Sequence, residues 1–185
     1  MRIKLLSRRY AQAVFDLAED LKAVERVHKD LKLVQQVFNE NRQLRAVINN
    51  PVLDTYKKVK VLKEIFKNDL HELTLRFLLL ITRKGRERYI LPICESYDEI
   101  FNAYKNILSV KLTTAVEADA QLRKEVIAKM GLATKMNIEL EEKTEEDLVG
   151  GFVLHFKDYQ YDASIITQLN KLRSAFSHEH YIKKF

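Results

Sequence analysis

Five histidines, a lone cysteine and one pair of adjacent glycines are the residues here that could support chemistry. An imidazole can act as a base or metal ligand near neutral pH, and a thiolate as a nucleophile. Paired glycines can open a loop that cradles a phosphate. Their neighbours argue against all three uses. His28 and His71 fall on helical stretches among charged residues and are expected at the surface. His178 and His180 form "HEH" near a polar C-terminus, which reads as a frayed end. His155 sits opposite the alternating Phe152, Leu154 and Phe156 and is expected to face solvent. Cys94, with Leu91 three residues before it, reads as a small core residue. Gly150 and Gly151 match neither GxGxxG nor a Walker loop, and a strand rather than a helix follows them. They read as a bend or bulge where that strand starts. Asp162 is expected to cap the last helix with its carboxylate. No nucleophile and base stand together, so neither catalysis nor a cofactor or metal is expected.

One cysteine excludes a disulfide framework and a zinc knuckle, and suits a reducing compartment. No run approaches the ~20 apolar residues of a membrane helix. The basic start, "MRIKLLSRRYAQAVF", has no acid before Asp16. The helical period begins near Ser7, however, which leaves little room for a removable leader. The chain is expected to be mature from its first residue and soluble. A net charge of +6 invites a nucleic-acid reading, as a basic RNA-binding adaptor. Yet "SRRY", "YKKVK", "RKGRER" and "YIKKF" are scattered among acids and turns, without interleaved aromatics. Solvated helix faces account for them, and no nucleic-acid partner is expected.

The elements carrying these residues change period near residue 106. Before it, helices are expected over 8–21 with Ser7 as N-cap, 22–39, and 42–48 ending ahead of Pro51. A fourth is capped by Asp54 or Thr55, and its apolar face is Val59, Leu62 and Phe66. A fifth spans 70–83 and stops where Gly85 can take a left-handed cap. A sixth spans 86–104, with Pro92 placed to bend its first turns. Short connections imply antiparallel neighbours and a bundle. After 106, Leu108, Val110, Leu112 and Thr114 alternate like a strand. A helix over 118–130 is stopped by Gly131, strands follow at Met136–Leu140 and Phe152–Phe156, and a helix closes the chain. The fold class is mostly α: a six-helix bundle over 1–106, then a small β-α-β-β-α domain over 107–185.

Two of these helices carry more apolar surface than a bundle helix needs. At ~100° per residue, Tyr10, Ala11, Ala13, Val14, Phe15, Leu17, Ala18 and Leu21 cover an arc of roughly 200°. On the fifth helix, Leu73, Phe77 and Leu80 form one flank and Leu75 and Leu78 another, leaving only a strip of Glu72, Arg76 and Arg83. Both helices could be central in the bundle. Alternatively, they share a groove that accepts a partner's amphipathic helix.

Several stretches stand in a familiar order: "RRYAQAVFDLAE", "NPV" with "VKVLKEIF", "FLLLITRKGR", "SVKLTTAVE" and "EEDLVGGFVLHFKDYQYDASIITQLNKL". In these the chain resembles the delta subunit family of bacterial F-type ATP synthase, counterpart of the mitochondrial oligomycin-sensitivity-conferral protein. The departures are a missing proline before the paired glycines and a bulky hairpin, "KDYQY". The resemblance implies a non-catalytic stator link, one copy per complex and a monomer when isolated. It would join the catalytic head to the peripheral stalk on the cytoplasmic face of the bacterial inner membrane, held there only through the complex. It further implies that the N-terminal helix of an alpha subunit lies between the first and fifth helices. Tyr10, Ala13, Val14 and Leu17 would form one wall, with Ala11, Phe15 and Ala18 turned to the core. Leu73, Phe77 and Leu80 would form the other wall, with the Leu75 and Leu78 flank as the alternative. The C-terminal domain would hold the C-terminal helix of subunit b. Gly85, Gly150, Gly151 and Asp162 are expected to be structural.

Overall fold

The computed structural model describes residues 2–116, 118–145, 148–157 and 159–178. The chain divides into two compact units, Met1–Tyr104 and Lys105–Phe185.

The first unit holds six helices: α1 (Arg2–Asp20), α2 (Val24–Glu40), α3 (Arg42–Asn49), α4 (Thr55–Phe66), α5 (Glu72–Arg83) and α6 (Ile90–Tyr104), the last preceded by a 3-10 turn at Glu87–Tyr89. Apolar side chains three and four apart on each helix meet in one core. Ala11, Phe15 and Ala18 of α1 are buried with Val27, Leu31, Val34 and Phe38 of α2 and with Ile93, Tyr97 and Phe101 of α6. The Phe15 ring packs on Tyr97 and, edge-on, on Tyr104, with centroids 5.8 and 5.3 Å apart. Asp54 caps α4, accepting from the Tyr56 amide at 3.1 Å.

The boundaries differ from the sequence expectation where local signals mislead. Ser7 does not start α1: the helix runs back to Arg2, and the buried Ser7 hydroxyl donates to the Ile3 carbonyl at 2.9 Å. Between α1 and α2, Lys22 takes the left-handed conformation at φ 53°, where no glycine marks the break. The Ala23 amide then reaches the Ala18 carbonyl at 2.8 Å and closes the helix end. At the end of α5, Gly85 has φ 65°, and the Gly85 and Arg86 amides donate to the Thr82 and Ile81 carbonyls at 3.0 and 3.1 Å. That is a Schellman closure. Pro92 falls in the first turn of α6, where its missing amide costs nothing.

The second unit comprises β1 (Ile107–Thr114), α7 (Ala120–Thr134), β2 (Asn137–Thr144), β3 (Phe152–Phe156), β4 (Tyr159–Asp162) and α8 (Ile165–His178). The sheet order is β2-β1-β3-β4, with β1 parallel to β2 and the other pairs antiparallel. Register places Val110 beside Leu140 and Leu112 beside Leu154. Val110, Leu112 and Leu154 join Leu108 and Val126 in the core, with Leu122, Met130, Ile138 and Leu140 packed against it.

The expected β-α-β-β-α order gains a strand. β4 occupies part of the "KDYQY" stretch read as a turn, because Tyr159 and Tyr161 pair with Phe156 and Leu154 across a tight hairpin. Gly131 does not stop α7. The helix continues to Thr134, and Lys135 takes the left-handed position at φ 56°.

Gly151 has φ 80°, and a Cβ there would lie 2.3 Å from the Ala163 carbonyl oxygen and 3.0 Å from Ser164 Cα. The strand start therefore lies flush against the loop leading into α8. Gly151→Ala combines left-handed strain with a backbone clash, together about 2 kcal/mol or more. Amides of β3 and β4 should lose roughly thirty-fold of their protection in hydrogen exchange. Unchanged protection would show that this loop can yield. Asp162 is not the cap of α8. That helix starts at Ile165, and Ser164 is its N-cap, accepting from the Thr167 amide at 3.3 Å. Asp162 braces the cap, accepting from the Ser164 amide at 2.8 Å and the Thr167 hydroxyl at 2.9 Å. The Ser164 hydrogen bonds, then the one from Thr167, hold its carboxyl below the usual range.

Candidate partner-binding surface

The apolar arc of α1 splits into two faces. Ala11, Val14, Phe15 and Ala18 are buried inward, whereas Ala13, Leu17 and Leu21 are exposed and Tyr10 is half-buried. Val14, only 2% exposed, belongs to the core and not to an outward wall. Tyr10, Ala13 and Leu17 remain as an outward stripe at i, i+3 and i+7. On α5, Thr74, Leu78, Ile81 and Thr82 face inward. Leu73 and Phe77 are half-buried and Leu80 is exposed, forming a second outward stripe at i, i+4 and i+7. Burial of Leu78 removes it from the alternative flank, where Leu75 stays half-buried. Leu17 and Leu80 are each 51% exposed, far more than a core leucine in a bundle of this size.

One residue of each stripe, Tyr10 and Leu80, lines a shared cavity. Tyr10, Leu80, Ile81, Lys84 and Arg86 line an open cavity of about 280 Å³. Arg86 donates a hydrogen bond to the Tyr10 hydroxyl, and its guanidinium carbon lies 5.6 Å from the ring centroid. Of the outward residues expected from the sequence, Tyr10 and Leu80 thus share a cavity. The others extend from it along their own helices.

Polar contacts hold these helices in place. Asp30 of α2 is 2% exposed. It accepts from the His71 amide at 2.7 Å and the Thr74 hydroxyl at 2.9 Å, and pairs with Arg26 at 3.1 Å. A carboxylate at the amino end of α5 satisfies free amides and complements the helix dipole. His71 is the N-cap of α5, its Nδ1 accepting from the Leu73 amide at 3.3 Å, and is not a surface residue within a helix. A buried ion pair between Lys58 and Glu87 fixes the turn beside Arg86. Sequence reasoning missed Asp30. Its signal was an acid bordering the Val27, Leu31 and Val34 stripe, where a solvated face does not fall.

His28 also departs from expectation. Its ring stacks on Phe101 with centroids 3.7 Å apart, and its Nε2 lies 2.7 Å from Asp98 Oδ1. Lys32 is 3.5 Å from the same oxygen, and Asn102 donates to Oδ2 at 3.2 Å. The hydrogen bond with His28 is the main cause that holds the Asp98 carboxyl below its usual range, with Lys32 adding. This cluster ties α2 to α6. Cys94 is buried, and burial pushes its thiol up to about 12, which keeps it protonated and unreactive. His155 is exposed. His180 and the side chain of His178 lie outside the described residues. Among the described residues, no group of three or more His, Cys, Asp or Glu could hold a metal ion, and no helix is long and apolar enough to cross a membrane.

A larger cavity, about 410 Å³, lies in the second unit. Leu122, Val126 and Met130 of α7 and Phe152, Leu154 and Phe156 of β3 form its apolar walls. Because α7 lies over the β2 side of the sheet, the β3 and β4 side is left partly uncovered, and Tyr159 and Tyr161 are exposed. Each unit thus presents outward apolar surface among its described residues.

The chain is similar to known proteins along nearly its whole length. The model of the family described as "ATP synthase delta (OSCP) subunit" matches residues 6–176. The chain is 32% identical to ATP synthase subunit delta of Cytophaga hutchinsonii over 171 residues, 92% of this chain and 93% of the relative. It is 31% identical to the subunit of the same name from Christiangramia forsetii over 184 residues, the full length of both. Among solved structures, a chain of the Toxoplasma gondii mitochondrial ATP synthase hexamer shares the fold. Its TM-score is 0.74 at 21% identity, covering 92% of this chain and 97% of that one.

Proposed function

This chain belongs to the ATP synthase delta (OSCP) subunit family, and on that footing we propose that each of its two units grips a different helix of the enzyme. It is a non-catalytic component of the stator, part of an ATP synthase complex and in contact with its catalytic head. Its membrane association is peripheral, through the complex. A basic RNA adaptor has no support beside this membership.

The finer reading assigns the first unit to the N-terminal helix of an alpha subunit. Tyr10, Ala13 and Leu17 would form one wall, and Leu73, Phe77 and Leu80 the other. The observation that carries it is the pair of outward apolar stripes on α1 and α5, each of which contributes a residue, Tyr10 and Leu80, to one cavity. The second unit would hold the C-terminal helix of subunit b, so that one copy spans from head to stalk on the cytoplasmic face of the bacterial inner membrane.

The work of such a link is mechanical. While the rotor turns, the head must stay fixed against the membrane sector, and slow dissociation serves that better than fast chemistry. Nanomolar affinity corresponds to about −12 kcal/mol, and ~500 Å² of apolar groove gives a similar gross figure before association costs. One groove alone is thus marginal. Two simultaneous grips raise the effective affinity by linkage.

Removing the chain is expected to release the soluble head from washed membranes, and adding purified chain back to restore it. Affinity capture of the tagged chain should recover alpha and b together. A head that stays bound to membranes without this chain would overturn the linking role.

A further inference from the structure

The fifth helix ends in a turn of exposed cations. Leu73, Phe77 and Leu80 recur on α5 at i, i+4 and i+7, and Lys84 continues the same face at i+11. Arg83, Lys84 and Arg86 are all exposed. Among the described residues none of the three forms an ion pair, and the next acid in the chain, Glu87, is taken by the buried Lys58. Cations in the last turn of a helix complement its dipole, which accounts for Arg83 and Lys84. It does not account for Arg86, which lies past the Schellman closure at Gly85 and reaches across to α1. There its guanidinium donates to the Tyr10 hydroxyl, with its carbon 5.6 Å from the ring centroid. The closure fixes the Arg86 backbone from one side and the Lys58–Glu87 pair from the other. The cation is therefore held in place before any partner arrives, with N–H donors to spare beyond the one that Tyr10 takes.

We infer that Lys84 and Arg86 are specificity-determining contacts of the first unit, receiving an aspartate or glutamate of the helix that lies against Tyr10 and Leu80. This rests on the reading that the first unit holds a partner helix, and it names a side chain that helix must carry. Tyr10, Leu80 and Ile81 give the shared cavity apolar surface, and Lys84 and Arg86 supply its charge. A helix seated there takes both cations partly out of water. An acid within hydrogen-bonding distance offsets that cost, and a neutral residue does not. A lysine or arginine at the same place is repelled, so the cations select among amphipathic helices that the apolar stripes alone would all accept. The acid belongs at the edge of the partner's apolar face, because the cations adjoin Tyr10 and Leu80 and do not replace them.

The test titrates the full chain calorimetrically with a synthetic peptide of the alpha subunit's N-terminal helix, at low and at high salt. Wild type is expected to bind. Lys84→Glu changes a side chain that holds no hydrogen bond or ion pair among the described residues. It should weaken binding about ten-fold at low salt and less at high salt. Arg86→Glu should weaken it by at least as much. Lys124→Glu, on α7 in the other unit, makes the same change in net charge and should stay within about two-fold. A second peptide has each aspartate and glutamate replaced by its amide. It should bind wild type more weakly, and the two reversals should then have little further effect. If wild type binds the first peptide and neither reversal weakens it beyond the Lys124→Glu control, the inference is overturned. It is overturned as well if the reversals weaken both peptides equally, since the loss then comes from a disturbed Tyr10–Arg86 contact and not from an acid. An alpha-subunit helix without any aspartate or glutamate would overturn it at once. If wild type fails to bind the first peptide, the helix-holding reading of the first unit falls, and the inference with it.

Discussion

Asp30→Ala should lower the stability of the N-terminal unit by about 3 kcal/mol. The carboxylate is almost fully enclosed and satisfies two buried donors at once, the His71 amide and the Thr74 hydroxyl. Alanine leaves both in an apolar surround, each costing about 1–3 kcal/mol, and removes a negative charge from the amino end of α5. Asp30→Asn keeps one acceptor oxygen and should recover roughly half of the loss. Chemical denaturation followed by circular dichroism gives the number. The result also bears on function, since Asp30 sets where α5 begins and hence where Leu73, Phe77 and Leu80 are displayed. A loss below about 1 kcal/mol would mean that α5 is held by its apolar contacts alone.

Ala13→Asp is expected to weaken binding of a synthetic peptide with the sequence of the alpha subunit's N-terminal helix by about 100-fold or more, with the bundle still folded. Ala13 is exposed and lies between Tyr10 and Leu17 on the outward stripe of α1, so the change meets water in the free chain. There it should alter stability by no more than about 0.5 kcal/mol. In the complex a small residue lets the partner helix approach closely, and a carboxylate would be enclosed against apolar surface without a counter-charge. Gln12→Glu on the wet side of the same helix serves as control and should leave affinity within about two-fold. Unchanged affinity for the Ala13→Asp variant, with an intact circular-dichroism spectrum, would remove the α1 face from the proposed groove.

Much of this organisation was legible because it rests on short-range regularities. The 3.6-residue recurrence of Val27, Leu31, Val34 and Phe38 defines α2 without reference to any neighbour, and alternation of Leu108, Val110 and Leu112 defines β1. Gly85 is the residue best able to take the left-handed closure that ends α5. Local signals misled where a residue has two possible uses. Ser7 can cap a helix or bond back within one, and Gly131 can end a helix or sit inside it. Lys22 and Lys135 adopt left-handed turns that their residue type disfavours by roughly 1 kcal/mol, a cost that surrounding contacts offset. β4 escaped notice because four residues are too few to show a period, and only pairing with β3 makes them a strand.

What the chain alone determined, then, is most of which residues form helices and strands, and where the period changes from one unit to the next. Which side of each apolar arc meets its own core was decided only in three dimensions. Val14 and Leu78 went inward and Leu17 and Leu80 stayed out, Asp30 and His28 found partners on helices far along the chain, and α8 was left uncovered. The reason is that periodicity reports how much apolar surface an element carries, a local property. What covers that surface depends on neighbours brought close by the whole fold, or by another chain.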